Sequence, residues 1–171
     1  MNDFREELVL LLPRLRRFAY GLAGQREDAD DLVQAACERA LERSDQWEPG
    51  TRLDSWMYRL IQNLWFDRLR SRKVRGDPVD MEAIEPQADE HAHRAPELRS
   101  DLSRVSDALQ QLRPEHRELL MLVCVEELSY KEAAELLQIP MGTVMSRLAR
   151  ARLQLHELLA SGAATPAKGR T

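Results

Sequence analysis

Cysteine is scarce. Cys37 and Cys124 are the only two in 171 residues, and both lie among apolar neighbours in helical patterns. That excludes a disulfide-stapled scaffold, and the pair reads as small buried thiols in a reduced cytosol. Seven glycines, aromatic residues at 5% and few Val, Ile or Thr runs argue against an all-β fold. No stretch approaches the ~18 apolar residues that cross a bilayer, and the N-terminus is acidic where a secretory signal would be basic. The expectation is a soluble cytoplasmic protein without membrane insertion. A positive excess is also missing: 25 Lys and Arg face 29 Asp and Glu, a net charge of −4. This rules out coating nucleic acid by bulk charge and leaves room for a local basic patch.

Catalytic groupings are absent too. His91 and His93 stand in an acidic stretch, and His116 and His156 are isolated on helices without Cys or carboxylate partners at metal-ligand spacing. Asp28, Asp30 and Asp31 lack the glycine turn and distal Glu of a calcium loop, and no Gly-rich phosphate loop exists. A non-enzymatic protein with no cofactor, metal or catalytic residue is expected.

What is present is unevenly placed charge. Residues 1–76 carry a net +1, 77–101 a net −6 and 102–171 a net +1. The middle stretch has three prolines, many carboxylates and little hydrophobic periodicity, so it reads as a flexible acidic linker. The expected organisation is all-α: a helical domain over 1–76, the linker over 77–101, a second helical domain over 102–160, and a disordered tail over 161–171.

In the first domain, Phe4, Leu8, Leu11, Leu12, Leu15, Phe18 and Leu22 define one amphipathic stripe. Pro13 either kinks that helix or opens a new one. A second helix runs from about Asp28 to Arg43, with Ala29, Leu32, Val33, Ala36, Ala40 and Leu41 inward and acids in its first turn. A third, from about Leu53 to Lys73, buries Leu53, Trp56, Met57, Leu60, Leu64 and Leu69. Residues 59–75 hold six basic residues and one acid, beside Trp47, Trp56, Tyr58, Trp65 and Phe66. Aromatic faces next to arginines suit unstacked single-stranded bases, although Trp56 falls on the apolar stripe and reads as core.

The second domain starts with a helix over about Leu102–Leu112, and Pro114 opens the next. Ser129-Tyr130-Lys131-Glu132 is a capping box that starts a short helix to Leu137. After Gln138-Ile139-Pro140-Met141-Gly142 the helix resumes from Thr143 to Arg152, giving a helix-turn-helix. Ala134 is expected at the helix crossing, with Leu137, Ile139, Val144 and Leu148 as the small core. Arg147, Arg150 and Arg152 give the second helix a local +3 that fits a major groove.

Four passages, taken together, resemble the extracytoplasmic-function (ECF) subgroup of bacterial RNA polymerase sigma factors over residues ~4–158. They are Leu11-Leu12-Pro13-Arg14-Leu15-Arg16-Arg17-Phe18-Ala19; Asp28-Ala29-Asp30-Asp31-Leu32-Val33-Gln34; Ser55 to Asn63 with Asp67-Arg68-Leu69-Arg70; and Leu128 to Ala134 through Gly142 to Arg147. The resemblance implies a stress-responsive initiation factor that binds core RNA polymerase and promoter DNA and is held by an anti-sigma factor. It implies sigma region 2 over 1–76 and region 4 over 102–160. Polymerase binding would fall to Asp28, Asp30, Asp31, Leu32, Gln34 and Glu38. The -10 strand would meet Trp47, Tyr58, Arg59, Asn63, Asp67, Arg68 and Arg70. The -35 duplex would meet Thr143, Met145, Ser146, Arg147, Arg150 and Arg152, with Arg117, Tyr130 and Lys131 anchoring the backbone.

Two positions depart from the family pattern. Met145 stands where many relatives carry Arg or Lys, which trades a charged base contact for an apolar one. Gln138 replaces a frequent turn glycine, at a cost on the order of 1 kcal/mol if its backbone is left-handed. The competing readings are a sigma-like module that only sequesters an anti-sigma factor, and a dimeric repressor using the helix-turn-helix alone.

Overall fold

The computed structural model describes residues 2–76 and 96–163, which form seven α-helices and no strand. The chain is all-α, as the periodicity requires. His91 and His93, most of the expected linker and all but the start of the expected tail lie outside the described residues. The last six positions of the expected linker belong to a helix, because α4 spans Pro96–Gln110.

Helix α1 runs unbroken over Asn2–Ala23 with Pro13 inside it. Pro13 lies on the exposed face, as does Val9, whose carbonyl loses its helical donor to the proline. Water can satisfy that carbonyl, so the helix continues. Helix α2 (Arg26–Glu42) starts with Glu27 and Asp28 at its positive end. Helix α3 (Leu53–Arg75) ends with Arg72, Lys73 and Arg75 near its negative end and stops at Gly76, whose φ of 66° is left-handed. The three pack on one another and bury Leu15, Phe18, Leu22, Leu32, Leu53, Met57, Tyr58 and Ile61 almost completely. Leu41, expected inward, is 43% exposed, because it falls in the last turn of α2 beyond the reach of α1 and α3. Trp56 and Leu69 are half-buried at the edge of this core.

Helix α5 (Pro114–Leu120) continues into a π-helical turn over Met121–Val125. Helix α6 (Tyr130–Leu137) carries the predicted capping box: Glu132 N–H donates to Ser129 Oγ at 3.2 Å, and Ser129 N–H donates to Glu132 Oε2 at 2.7 Å. Gln138 terminates α6 with φ 55° and ψ 43°, the left-handed conformation a glycine would accept without strain. Helix α7 spans Met141–Ala163. Val144, Leu148 and Ala151 of α7 pack with Leu112, Leu119, Leu120 and Ala133. Ala133 is fully buried where α6 meets this core, while Ala134, expected there, is half-exposed, as are Leu137 and Ile139.

The two helical units are joined by a continuous interior. Met121, Leu122, Leu128 and Leu136 belong to the same apolar cluster as the core of α1–α3. Gly21 makes this approach possible: a Cβ there would lie 2.3 Å from the Met121 side chain. Gly24, at φ 74°, likewise has the Gln110 side chain where a Cβ would stand.

Candidate nucleic-acid and polymerase interface

On α2, Asp30, Asp31, Gln34 and Glu38 form an exposed polar face, with Gln34 Nε2 donating to Glu38 Oε1 at 3.0 Å. Asp28 is half-buried between Arg72, whose Nη2 lies 3.2 Å from Oδ2, and Arg68, at 3.8 Å from Oδ1. These pairs tie the start of α2 to the basic end of α3. Leu32 is fully buried in the core and presents nothing outward. Leu32, expected at the polymerase, instead holds the helix down while its polar neighbours face out.

The expected -10 residues separate into two groups. Trp47 follows a short 3-10 turn, Ser44–Gln46, and packs its ring against Phe4 with centroids 5.4 Å apart. With Gln46, Glu48, Thr51 and Trp56 it lines a small open cavity of about 230 Å³. Its Nε1 is buried without an acceptor among the described residues. Asn63, Asp67 and Arg70 are exposed, Asp67 pairs with Arg70, and Arg68 is turned toward Asp28.

Tyr58 and Arg59 do not join that surface. Tyr58 is fully buried, its ring 4.9 Å from that of Phe18, and its hydroxyl donates to Glu126 Oε2 at 2.6 Å. Burial first, then the Glu126 carboxylate, hold the phenol far above its ordinary pKa. In this closed arrangement the ring has no exposed face, so Tyr58, expected at the -10 strand, stands in the core beneath Glu126. Arg59 is exposed but donates to the Glu135 carbonyl of α6 at 3.1 Å.

In the second unit α7 has one buried and one exposed face. Val144, Leu148 and Ala151 point inward, whereas Met145, Ser146, Arg150 and Arg152 are exposed and Thr143 and Arg147 are half-exposed. Arg147 and Arg150 line an open cavity of about 290 Å³ with Arg113, Glu115 and His116 of the α5 start. Arg113 and His116 escaped the sequence reading because Arg113-Pro114-Glu115 reads only as a helix start. Lys131 is exposed and Tyr130 half-buried. Arg152 donates to the Cys124 thiol at 3.7 Å, and Cys124 is exposed, contrary to its apolar neighbourhood in sequence.

Arg117 has a different role from the expected backbone anchor. It is 6% exposed, and its guanidinium donates to the carbonyls of Leu109 (2.8 Å), Gln110 (2.8 Å), Leu112 (3.1 Å) and Leu22 (2.5 Å) and to Gln110 Oε1 (2.7 Å). Leu22, Leu109 and Gln110 contribute end-of-helix carbonyls of α1 and α4, and Leu112 lies in the turn after α4. One cation thus serves two negative helix ends. Burial lowers its pKa to about 10, which leaves it charged at neutral pH. A guanidinium spent this way is not free for a DNA phosphate, and that assignment is corrected.

Comparison with known proteins matches this arrangement. The Sigma-70 region 2 family model matches residues 9–75 and the Sigma-70 region 4 model matches residues 102–155. The ECF RNA polymerase sigma factor EcfG of Rhodopseudomonas palustris is 32% identical over 161 residues, covering 92% of this chain and 86% of that protein. The ECF sigma factor SigE of Mycolicibacterium smegmatis is 35% identical over 152 residues, covering 86% of this chain and 58% of that protein. Among solved structures, the sigma factor RpoE in complex with the anti-sigma factor NepR from Bartonella quintana superposes with a TM-score of 0.79 at 34% identity, covering 94% of this chain and 98% of that one.

A two-part helical protein with a helix-turn-helix in its second part is thus a sigma-type DNA-reading factor. The chain belongs to the ECF family of RNA polymerase sigma factors, which direct transcription initiation.

Proposed function

We propose that the α2 face bearing Asp30, Asp31, Gln34 and Glu38 docks this sigma factor on core RNA polymerase, and that α3 with the preceding loop captures the -10 strand. The α6–α7 pair reads the -35 duplex. The division into region 2 over 1–76 and region 4 over 102–160 follows from the same reading. An exposed acidic helix face suits a basic partner, and the Trp47 cavity offers a flipped base two indole rings. On α7, Met145 and Ser146 reach base edges while Arg147, Arg150 and Arg152 hold phosphates. The observation that carries this reading is the alternation of α7, whose apolar side is sealed while its basic side stands open. Arg113 and His116 extend the phosphate-holding set from the start of α5.

The chain acts without a catalytic centre of its own, in the cytoplasm, and RNA synthesis remains with the polymerase. An anti-sigma factor controls it, by analogy with the NepR complex of the similar sigma factor. Run-off transcription with purified core polymerase and a library of genomic promoters tests the reading. Specific transcripts dependent on the protein are expected, and their absence at every promoter and protein concentration would sink it. Binding to an anti-sigma factor without any such transcripts would select the sequestering module instead.

A further inference from the structure

Glu126 takes no part in the DNA-reading role proposed for either unit. Its carboxyl-bearing side chain is completely buried. It leaves the second unit where the π-helical turn ends: its N–H donates to the Met121 carbonyl at 2.9 Å, and the next residue, Glu127, has a left-handed φ of 58°. The π-turn and the left-handed residue after it set the direction in which the Glu126 side chain leaves the backbone. That side chain enters a socket made wholly by the first unit. Arg17 grips it through Nε to Oε1 at 2.9 Å and Nη2 to Oε2 at 3.0 Å, Arg14 Nε donates to Oε2 at 3.2 Å, and Tyr58 donates its hydroxyl to the same oxygen. Asp54 sits beside Arg14 at 3.6 Å and fixes that guanidinium from the other side.

Around this socket a second set of contacts joins the two units. Arg52 pairs with Glu132 of α6, and Arg59 donates to the Glu135 carbonyl. Arg117 and Gln110 reach the Leu22 and Gly21 carbonyls of α1. Arg59, from the helix proposed to hold the -10 strand, and Arg52, just before that helix, are thereby held on acceptors of α6, part of the helix pair proposed to read the -35 element.

The closed body and the promoter differ in scale. A compact chain of this length has a radius of gyration of about 15 Å and is roughly 40 Å across. The -10 and -35 elements lie about 25 base pairs apart, roughly 85 Å along the duplex at ~3.4 Å per pair. Both units cannot engage their elements while Glu126 sits in its socket.

We propose that Glu126 is an intramolecular latch: seated on Arg14, Arg17 and Tyr58, it keeps the two units closed, and the factor must release it to read a promoter. The occupant of the first unit's socket is thus a named segment of the same chain, the π-turn edge ending in Glu126. This inference rests on the proposed assignment of -10 and -35 reading to the two units.

The test uses the full chain in two formats. Small-angle X-ray scattering of the free protein compares the native chain with Glu126→Gln, and run-off transcription titrates both against limiting core polymerase. Loss of the latch is expected to raise the radius of gyration by at least ~3 Å and to move half-maximal initiation to a roughly tenfold lower protein concentration, because a larger fraction is binding-competent. An unchanged radius would overturn the proposal, and expansion without a gain in initiation would overturn its inhibitory role. If Glu126→Gln loses helical circular dichroism, the Arg14→Ala/Arg17→Ala double variant decides. It removes both arginine partners, at partly exposed positions, and leaves only the Tyr58 hydrogen bond, so it must expand while staying helical; a compact double variant refutes the latch. A native chain inactive in run-off would defeat the functional reading instead, while the scattering comparison would still report on the latch.

Discussion

Replacing Arg117 tests whether a buried cation at a helix junction acts as structure or as a DNA anchor. Its five hydrogen bonds end on four main-chain carbonyls and one amide oxygen, and it is 6% exposed. Arg117→Ala removes the guanidinium from all four carbonyls, of which Leu109 still accepts from the Leu112 N–H, in a site too enclosed for full hydration. Hydrogen bonds to charged groups contribute ~1.5–3 kcal/mol each, but bonds sharing one guanidinium are far from additive. Two helix ends also lose a compensating charge, at ~0.3–1 kcal/mol each. The net expectation is a loss of about 3–5 kcal/mol, within the range seen when one partner of a buried charge network is removed. Urea unfolding followed by circular dichroism would show the midpoint falling by roughly 2 M, at a slope of ~2 kcal/mol/M. Arg117→Lys keeps the charge but cannot fan out to five acceptors, so it should recover less than half of the loss. A change below ~1 kcal/mol for the alanine variant would refute the structural role. Stability retained together with weaker -35 duplex binding and a shallower salt dependence would restore the phosphate anchor.

Further predictions concern single groups. Glu118 is buried in α5, and burial first, with Glu115 adding, raises its pKa from 4.5 to about 8 against the opposing pull of Arg147 and Gln62. The fold therefore favours the protonated acid: this stabilisation is complete below about pH 4.5 and is lost as pH rises toward 8. Glu118→Gln should match the native chain near pH 4.5 and exceed it at pH 8 by about 1–3 kcal/mol in urea unfolding; parallel pH profiles would contradict the burial argument. Gln138→Gly should stabilise the second unit by about 0.5–1 kcal/mol by relieving the left-handed φ, checked by thermal unfolding, and a destabilised variant would show that no strain resides there.

The helices were legible because each carries its own signal. The stripe of Phe4, Leu8, Leu15, Phe18 and Leu22, the Ser129 and Glu132 capping box and the +3 face of α7 are all local patterns. The polar joint between the units was not legible. Arg17 and Glu126 are 109 positions apart, Arg117 and the Leu22 carbonyl 95, Tyr58 and Glu126 68. Read by period alone, an arginine or glutamate on a helix belongs to the solvent face, and nothing nearby in sequence says that another helix will cover it. A family resemblance, which places Tyr58 and Arg117 at DNA and Leu32 at the polymerase, carries no information about this packing.

The sequence by itself determined that this chain is helical, in two units, with a helix-turn-helix and a basic third helix, because backbone propensity, caps and apolar period are properties of neighbours. Only the tertiary structure decided which charges face water. That depends on Met121 seating against Gly21 and on Glu126 entering the arginine socket, contacts whose cost of burial is repaid only when distant helices have already met.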